Sequence, residues 1–338
     1  MGYRMDQAGI NRVFNGLAKE YRLFAPKCFE YEGAFSDTDS IHYGEVQTIE
    51  EIELMKKSNH SFKDALLPIS ETLFYFTEDE VKVADAPAKG ALLFLRSCDL
   101  HALKRLDAIY LQNGEKDFYY KRLRDKIKIV LIGCEQAFES CFCVDMNTNR
   151  SENYDLSLDT IDGEYYLNCQ FREWDMLLKE NALEETIVMP KHVTETVTKV
   201  HVPDNLTAAV AASTMWDEYD ARCIACGRCN FSCPTCTCYT MQDIFYTDNG
   251  KVGERRRVQA SCMVDGFTDV AGGGSYRKKH GQRMRFKTLH KMLDFKQRFG
   301  YQMCVGCGRC DDVCPEYISF SNIVNRLDSA TQEVSKNE

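Results

Sequence analysis

Residues 223–238 read CIACGRCNFSCPTCTC, six cysteines in sixteen residues. The first four follow the spacing C-x2-C-x2-C-x3-C-P. The same arrangement returns at 304–315 as CVGCGRCDDVCP, and no other pair of segments in the chain is so alike. A cubane iron–sulfur core needs four thiolates around a compact centre. Two-residue gaps let one loop cover three corners, and the cysteine before proline reaches the other cluster of a two-cluster protein. The repeats therefore predict two [4Fe–4S] clusters. Cys223, Cys226, Cys229 and Cys314 are expected to hold one; Cys304, Cys307, Cys310 and Cys233 the other. The glycines before Arg228 and Arg309 keep each wrap free of side-chain crowding.

Two rival chemistries use the same residue types. Zinc takes four ligands per site and has no use for a trailing Cys-Pro repeat. Cys229-x3-Cys233-x2-Cys236 matches the spacing of a radical S-adenosylmethionine site. Two of its three cysteines already belong to the ferredoxin repeat, and no barrel pattern surrounds it. Cys236 and Cys238 are then read as small side chains packed beside the clusters.

The rest of the chain is consistent with a metal protein. Seventeen cysteines, an odd number, occur without a secretory signal, which favours metal binding over disulfides. No apolar run is long enough to cross a bilayer, so the expected compartment is the cytoplasm, with no membrane part. A net charge of −9 argues against nucleic acid as a partner. Two basic islands interrupt this acidic chain, Arg255-Arg256-Arg257 and RKKHGQRMRFK at 277–287. They read as a solvated helical face. The second island could also dock an acidic partner or steady the negative charge of reduced clusters.

Residues 1–205 are expected to form an α/β or α+β domain with a mixed sheet. Ile10, Val13, Phe14 and Leu17 have helical spacing within 5–20. A second helix is expected from Thr48, with Glu51 completing a capping box. Strands are expected at 73–76, 81–83, 91–95, 128–132, 164–167 and 186–189, with a helix over 100–110 between the third and fourth. That strand–helix–strand unit makes part of the sheet parallel. A boundary falls near Pro203-Asp204. Beyond it, 206–338 is expected to be an all-α helical ferredoxin-like domain, with helices near 206–219, 282–298 and 318–327. The loop AGGGSYR (271–277) lacks the context and spacing of a dinucleotide fingerprint.

Two of the expected strands run into cysteine, at Cys98 and Cys134, and a short loop adds Cys141 and Cys143. Ligands gather beyond the carboxyl ends of strands in open α/β sheets. These four thiols, with Asp99 as an oxygen ligand nearby, form a candidate third [4Fe–4S] site. His101 lies closest to it and reads as a cap or polar contact. Cys28 and Cys169 have no such company.

The segment from Cys223 to Ile318 resembles the A subunits of anaerobic sulfite reductases, and more broadly the beta subunits of cytoplasmic sulfhydrogenases. The resemblance extends over nearly the whole chain. It rests on RSCDLHALKRLD (96–107), CEQAFESCFC (134–143), CPTCTC (233–238), AGGGSYR and the run from Arg283 through CVGCGRCDDVCP. It implies a non-catalytic electron-transfer subunit, without catalytic residues of its own. Electrons would come from an NADH-oxidising flavin subunit and pass to a siroheme subunit that reduces sulfite to sulfide. The chain itself has no siroheme ligand pattern and no flavin or dinucleotide fingerprint. Two alternatives stand beside this reading: the electron-transfer beta subunit of a cytoplasmic hydrogenase, and a catalytic subunit whose third cluster carries an open iron.

Overall fold

The protein is described by a computed structural model covering residues 2–33 and 35–336. Ten strands come from the first 186 residues: β1 (Gly2–Met5), β2 (Tyr21–Phe29), β3 (Ser40–Glu45), β4 (Ser70–Phe76), β5 (Val81–Val83), β6 (Gly90–Leu95), β7 (Ile127–Ile132), β8 (Leu156–Ile161), β9 (Glu164–Cys169) and β10 (Glu184–Thr186). Eight of them build one mixed sheet in the order β10-β1-β9-β8-β7-β6-β2-β3. The pairs β2/β6, β6/β7 and β7/β8 are parallel and the others antiparallel. The central strands are near-continuous apolar runs because both faces are covered. Leu92, Leu93, Phe94 and Leu95 of β6 are all buried. One face packs on the helix Gln7–Leu17, which Asp6 caps by accepting the Gly9 amide at 2.7 Å. The helix Ser97–Gln112 connects β6 to β7 on the other face, as a parallel crossover requires.

A second, four-stranded antiparallel sheet joins distant parts of the chain. Its order is β11-β12-β4-β5, where β11 is Tyr239–Phe245 and β12 is Gly253–Gln259. The segment 206–338 is therefore not helical throughout: it contributes a hairpin that pairs with β4 from the first half. The basic triplet 255–257 lies on β12 rather than on a solvated helix. Arg257 is buried and pairs with Glu71, directly across on β4, and with Asp117. Arg255 pairs with Asp243 across the hairpin and Arg256 with Glu254.

Other elements are shorter than their sequence patterns suggest. The turn after Thr48 is a single 3-10 turn, Ile49–Glu51, because the chain departs to give the Glu53 amide to the Pro26 carbonyl at 2.7 Å. The segment 206–219 breaks into 3-10 turns at Ala208–Ala212 and Thr214–Trp216, with Ser213 between them accepting the Met215 amide. Strand pairing ends at Thr186, opposite Gly2, leaving Ile187 and Met189 exposed. A third core lies under the helices near the C-terminus and includes Trp216, Met284, Met292, Phe320 and Leu327.

Candidate metal centre

Each cysteine repeat is a wrap that ends in a one-turn helix, Arg228–Phe231 or Arg309–Asp312. The residue before that helix is glycine in the left-handed region, Gly227 at φ +76° and Gly308 at φ +70°. Gly306 is also left-handed, at φ +65°. A side chain at Gly306 or Gly308 would meet the backbone of Phe142 or Ser140 within 2.6 Å. Glycine is thus required twice over, by conformation and by the approach of another loop.

The wraps bring together cysteines that are distant in sequence. One cavity, enclosing about 470 Å³ with its mouth, is lined by Cys223, Cys226, Cys229, Cys310 and Cys314. A second, of about 360 Å³, is lined by Cys229, Cys233, Cys304, Cys307 and Cys310. Each cavity therefore combines three cysteines of one repeat with the last two of the other. Burial pushes the Cys304 thiol up to about 11 and Cys307 up to about 12. Thiols held this high give up their protons readily only to a metal.

The helix His280–Leu289 supplies what an anionic group in these cavities requires. It continues through a π-helical turn, His290–Asp294, to Phe299. Such turns gather at functional sites. Lys287 lines both cavities and Lys291 the second. Both lysines are buried, at 4% and 3% exposure. The Lys291 ammonium donates to Cys233 Sγ at 3.3 Å and to Thr235 Oγ1 at 3.0 Å. Among the described residues neither ammonium meets a carboxylate. Burial disfavours the charge on Lys287, but the neighbouring Cys229 and Cys310 sulfurs outweigh it and its pKa rises. A buried cation without an anion is costly. Four thiolates around a [4Fe–4S] core are net negative, so these side chains fit that group. The expectation of a solvated face at 277–287 fails at Arg283 and Lys287, which are buried.

The four cysteines of the candidate third site lie against the second wrap. Cys98 is in the first turn of the helix after β6, Cys134 follows β7, and Cys141 and Cys143 lie on the loop beyond. That loop is clamped to the repeat. The Phe142 amide donates to the Gly306 carbonyl at 2.8 Å and Thr148 Oγ1 to the Val305 carbonyl at 2.6 Å. Burial pushes Cys143 up to about 12, with Cys141, Cys134 and Cys307 close enough to add to the rise. Cys98 is raised by burial first, then by Asp99, and also by Cys307 and Cys143.

Asp99 has another role than the oxygen ligand expected of it. It is fully buried, and its two oxygens accept from Arg309 Nη1 and Nη2 at 2.6 and 2.9 Å. Tyr43 also donates to it, at 3.4 Å. A carboxylate occupied on both oxygens by a guanidinium is an anchor for the second wrap. His101 makes a polar contact, with Nε2 2.8 Å from the Arg150 carbonyl. Among the described residues no three His, Cys, Asp or Glu side chains converge on a single-ion site.

Cys236 and Cys238, and two residues that the motif reading passed over, Cys262 and Lys63, complete the surroundings. Cys236 lies beside Cys233, and Cys238 beside Cys262. Cys262 accepts from Asn230 Nδ2 at 3.1 Å. Lys63, from the first half of the chain, donates to the carbonyls of Cys233, Cys236 and Asn230 at 3.2, 3.2 and 3.4 Å. Cys262 and Lys63 stand alone in sequence, with no partner at ligand spacing. Only the four-residue step from Lys287 to Lys291 carried a signal, since such residues share a helix face.

Residues 222–318 match the 4Fe-4S dicluster domain family. The chain is an iron–sulfur protein. Sulfhydrogenase 2 subunit beta of Pyrococcus furiosus is 28% identical over 330 residues, which are 93% of this chain and 94% of that protein. No solved structure matches the chain significantly. Among the described residues no helix is long and apolar enough to cross a membrane.

Proposed function

We propose that this chain is the electron-transfer subunit of a cytoplasmic, anaerobic oxidoreductase complex. It relays electrons from an NADH-oxidising flavin subunit to a siroheme subunit that reduces sulfite. The reading assigns one [4Fe–4S] cluster to Cys223, Cys226, Cys229 and Cys314 and a second to Cys304, Cys307, Cys310 and Cys233. It assigns a third to Cys98, Cys134, Cys141 and Cys143. When bound, such clusters accept and give single electrons. The observation that carries the reading is the pair of cysteine cavities, each completed from the other repeat and each faced by a buried lysine.

The protein's own residues divide the labour of a conductor. The second wrap is sealed by Phe142, Val305 and Phe320, all buried. The first opens to the surface at Cys226, which is exposed beside Ile224 at 55% exposure. One end sheltered and one end open suits entry or exit at a partner rather than turnover of a small substrate. The similarity to a sulfhydrogenase subunit over nearly the full length favours a second reading, in which the partner is a hydrogenase.

Three measurements test this. Cys314→Ser, made in the complete chain, is expected to damage the cluster held by Cys223, Cys226 and Cys229. Spectroscopic damage confined to the Cys304 cluster would make the repeats independent. The purified chain is expected to accept electrons from dithionite without turning over sulfite; turnover by the partner-free chain would make it the catalytic subunit. Assaying the co-purified complex for sulfite reduction and for hydrogen turnover separates the two partners.

A further inference from the structure

Lys287 and Lys291 differ from the other buried cations around the cysteines. Lys63 spends its ammonium on three backbone carbonyls. Arg105 spends its guanidinium on the carbonyls of Gln302 and His101. Arg309 is neutralised by Asp99. Lys287 and Lys291 have no carboxylate among the described residues. Lys291 donates to the sulfur of Cys233 itself, and Lys287 lines both cavities with its ammonium 5.3 Å from the centre of the Phe320 ring. The tertiary fold has therefore sealed two positive charges into the cysteine cavities, with no protein carboxylate to compensate them.

We propose that Lys287 and Lys291 set the reduction potentials of the two ferredoxin-type centres, Lys287 raising both and Lys291 raising the one held in part by Cys233. The inference rests on the two-cluster reading above. Reduction adds one electron to a site that is already negative. A fixed cation at hydrogen-bond range stabilises the reduced form more than the oxidised form. In a buried site the effective dielectric is about 20, far below that of water, so the effect is not screened away. These are positioning residues: Lys291 donates to a cysteine sulfur and Lys287 faces both cavities. The shared position of Lys287 makes the two potentials move together, whereas Lys291 moves one alone.

The experiment is an anaerobic potentiometric titration of the complete, cluster-loaded chain, followed by electron paramagnetic resonance. Iron content is measured on each sample. In Lys291→Met one couple is expected to fall, with its reduced-to-oxidised ratio at fixed potential decreasing roughly tenfold or more. That is about 59 mV for a one-electron couple. In Lys287→Met both couples are expected to fall. Lys287→Arg and Lys291→Arg keep the charge and are expected to remain near the native potentials. Methionine variants with native iron content and unmoved couples would overturn the proposal. So would arginine variants that shift as far as the methionine ones, because shape rather than charge would then be responsible. If a methionine variant loses its iron while the arginine variant keeps it with native couples, the need for charge stands. If both lose it, the lysine is a packing element and the proposal falls. A native chain without two ferredoxin-type couples would instead remove the two-cluster reading, which separates the two failures.

Discussion

Arg309 shows how one residue can serve two halves of the chain. It sits inside the second cysteine wrap, yet its guanidinium is spent on Asp99 and Ser58 from the first half. The pair is sealed, at 2% and 0% side-chain exposure. Breaking such a pair leaves a buried charge without a partner, at a cost of about 3–5 kcal/mol. Arg309→Ala is therefore expected to lower the denaturant midpoint sharply at unchanged slope. Arg309→Met combined with Asp99→Leu, which leaves no charge behind, is expected to recover most of the loss. A single variant that unfolds at the native midpoint would mean the pair adds nothing beyond position.

At the scale of elements, the loop 134–148 connects the sheet to the second wrap. Its hydrogen bonds to the Gly306 and Val305 carbonyls place Cys141 and Cys143 beside Cys307, while β6 and β7 deliver Cys98 and Cys134 from the sheet. Two strand ends and one loop thus bring four soft donors to a single edge. Three cubanes contain about twelve irons and two about eight, by cluster stoichiometry. The anaerobically purified protein is expected to hold about twelve. Cys98→Ala with Cys134→Ala is expected to bring the count to about eight and leave the ferredoxin signals in place. A native count near eight that these substitutions do not change would leave the four cysteines as core packing.

For the whole molecule, the two cysteine repeats lie in a segment that does not stand apart from the rest. β12 lies between β11 and β4, so the hairpin from 239–259 has its inner edge on a strand from residues 70–76. Lys63, Arg309 and the loop 134–148 add further ties across the same divide. A fragment spanning 206–338 would expose the edge of β12 and leave Arg257 without Glu71 and Asp117. It is expected to lack a cooperative unfolding transition and to bind less iron than the complete chain. A fragment that folds cooperatively and holds both ferredoxin-type clusters would show that these ties are dispensable.

The iron–sulfur character of the chain was legible in the cysteine spacing. Cluster ligands must lie at fixed short spacings on one loop, so Cys223-x2-Cys226-x2-Cys229 and its copy at 304 can be read without coordinates. Apolar runs such as 91–95 and 128–132 were equally legible as strands, because residue pattern is a local property. The rest depended on packing between distant segments. A carboxylate next to a cysteine looks like a ligand until Arg309 is seen holding both oxygens of Asp99. A basic run looks like a solvated face until Lys287 is found buried in the lining of the cysteine cavities. The partner of β12 could not be read either, since a strand's edge carries no mark of which distant strand will meet it. Long-range pairing and burial depend on the whole packed chain, whereas ligand spacing is set by a few neighbouring bonds.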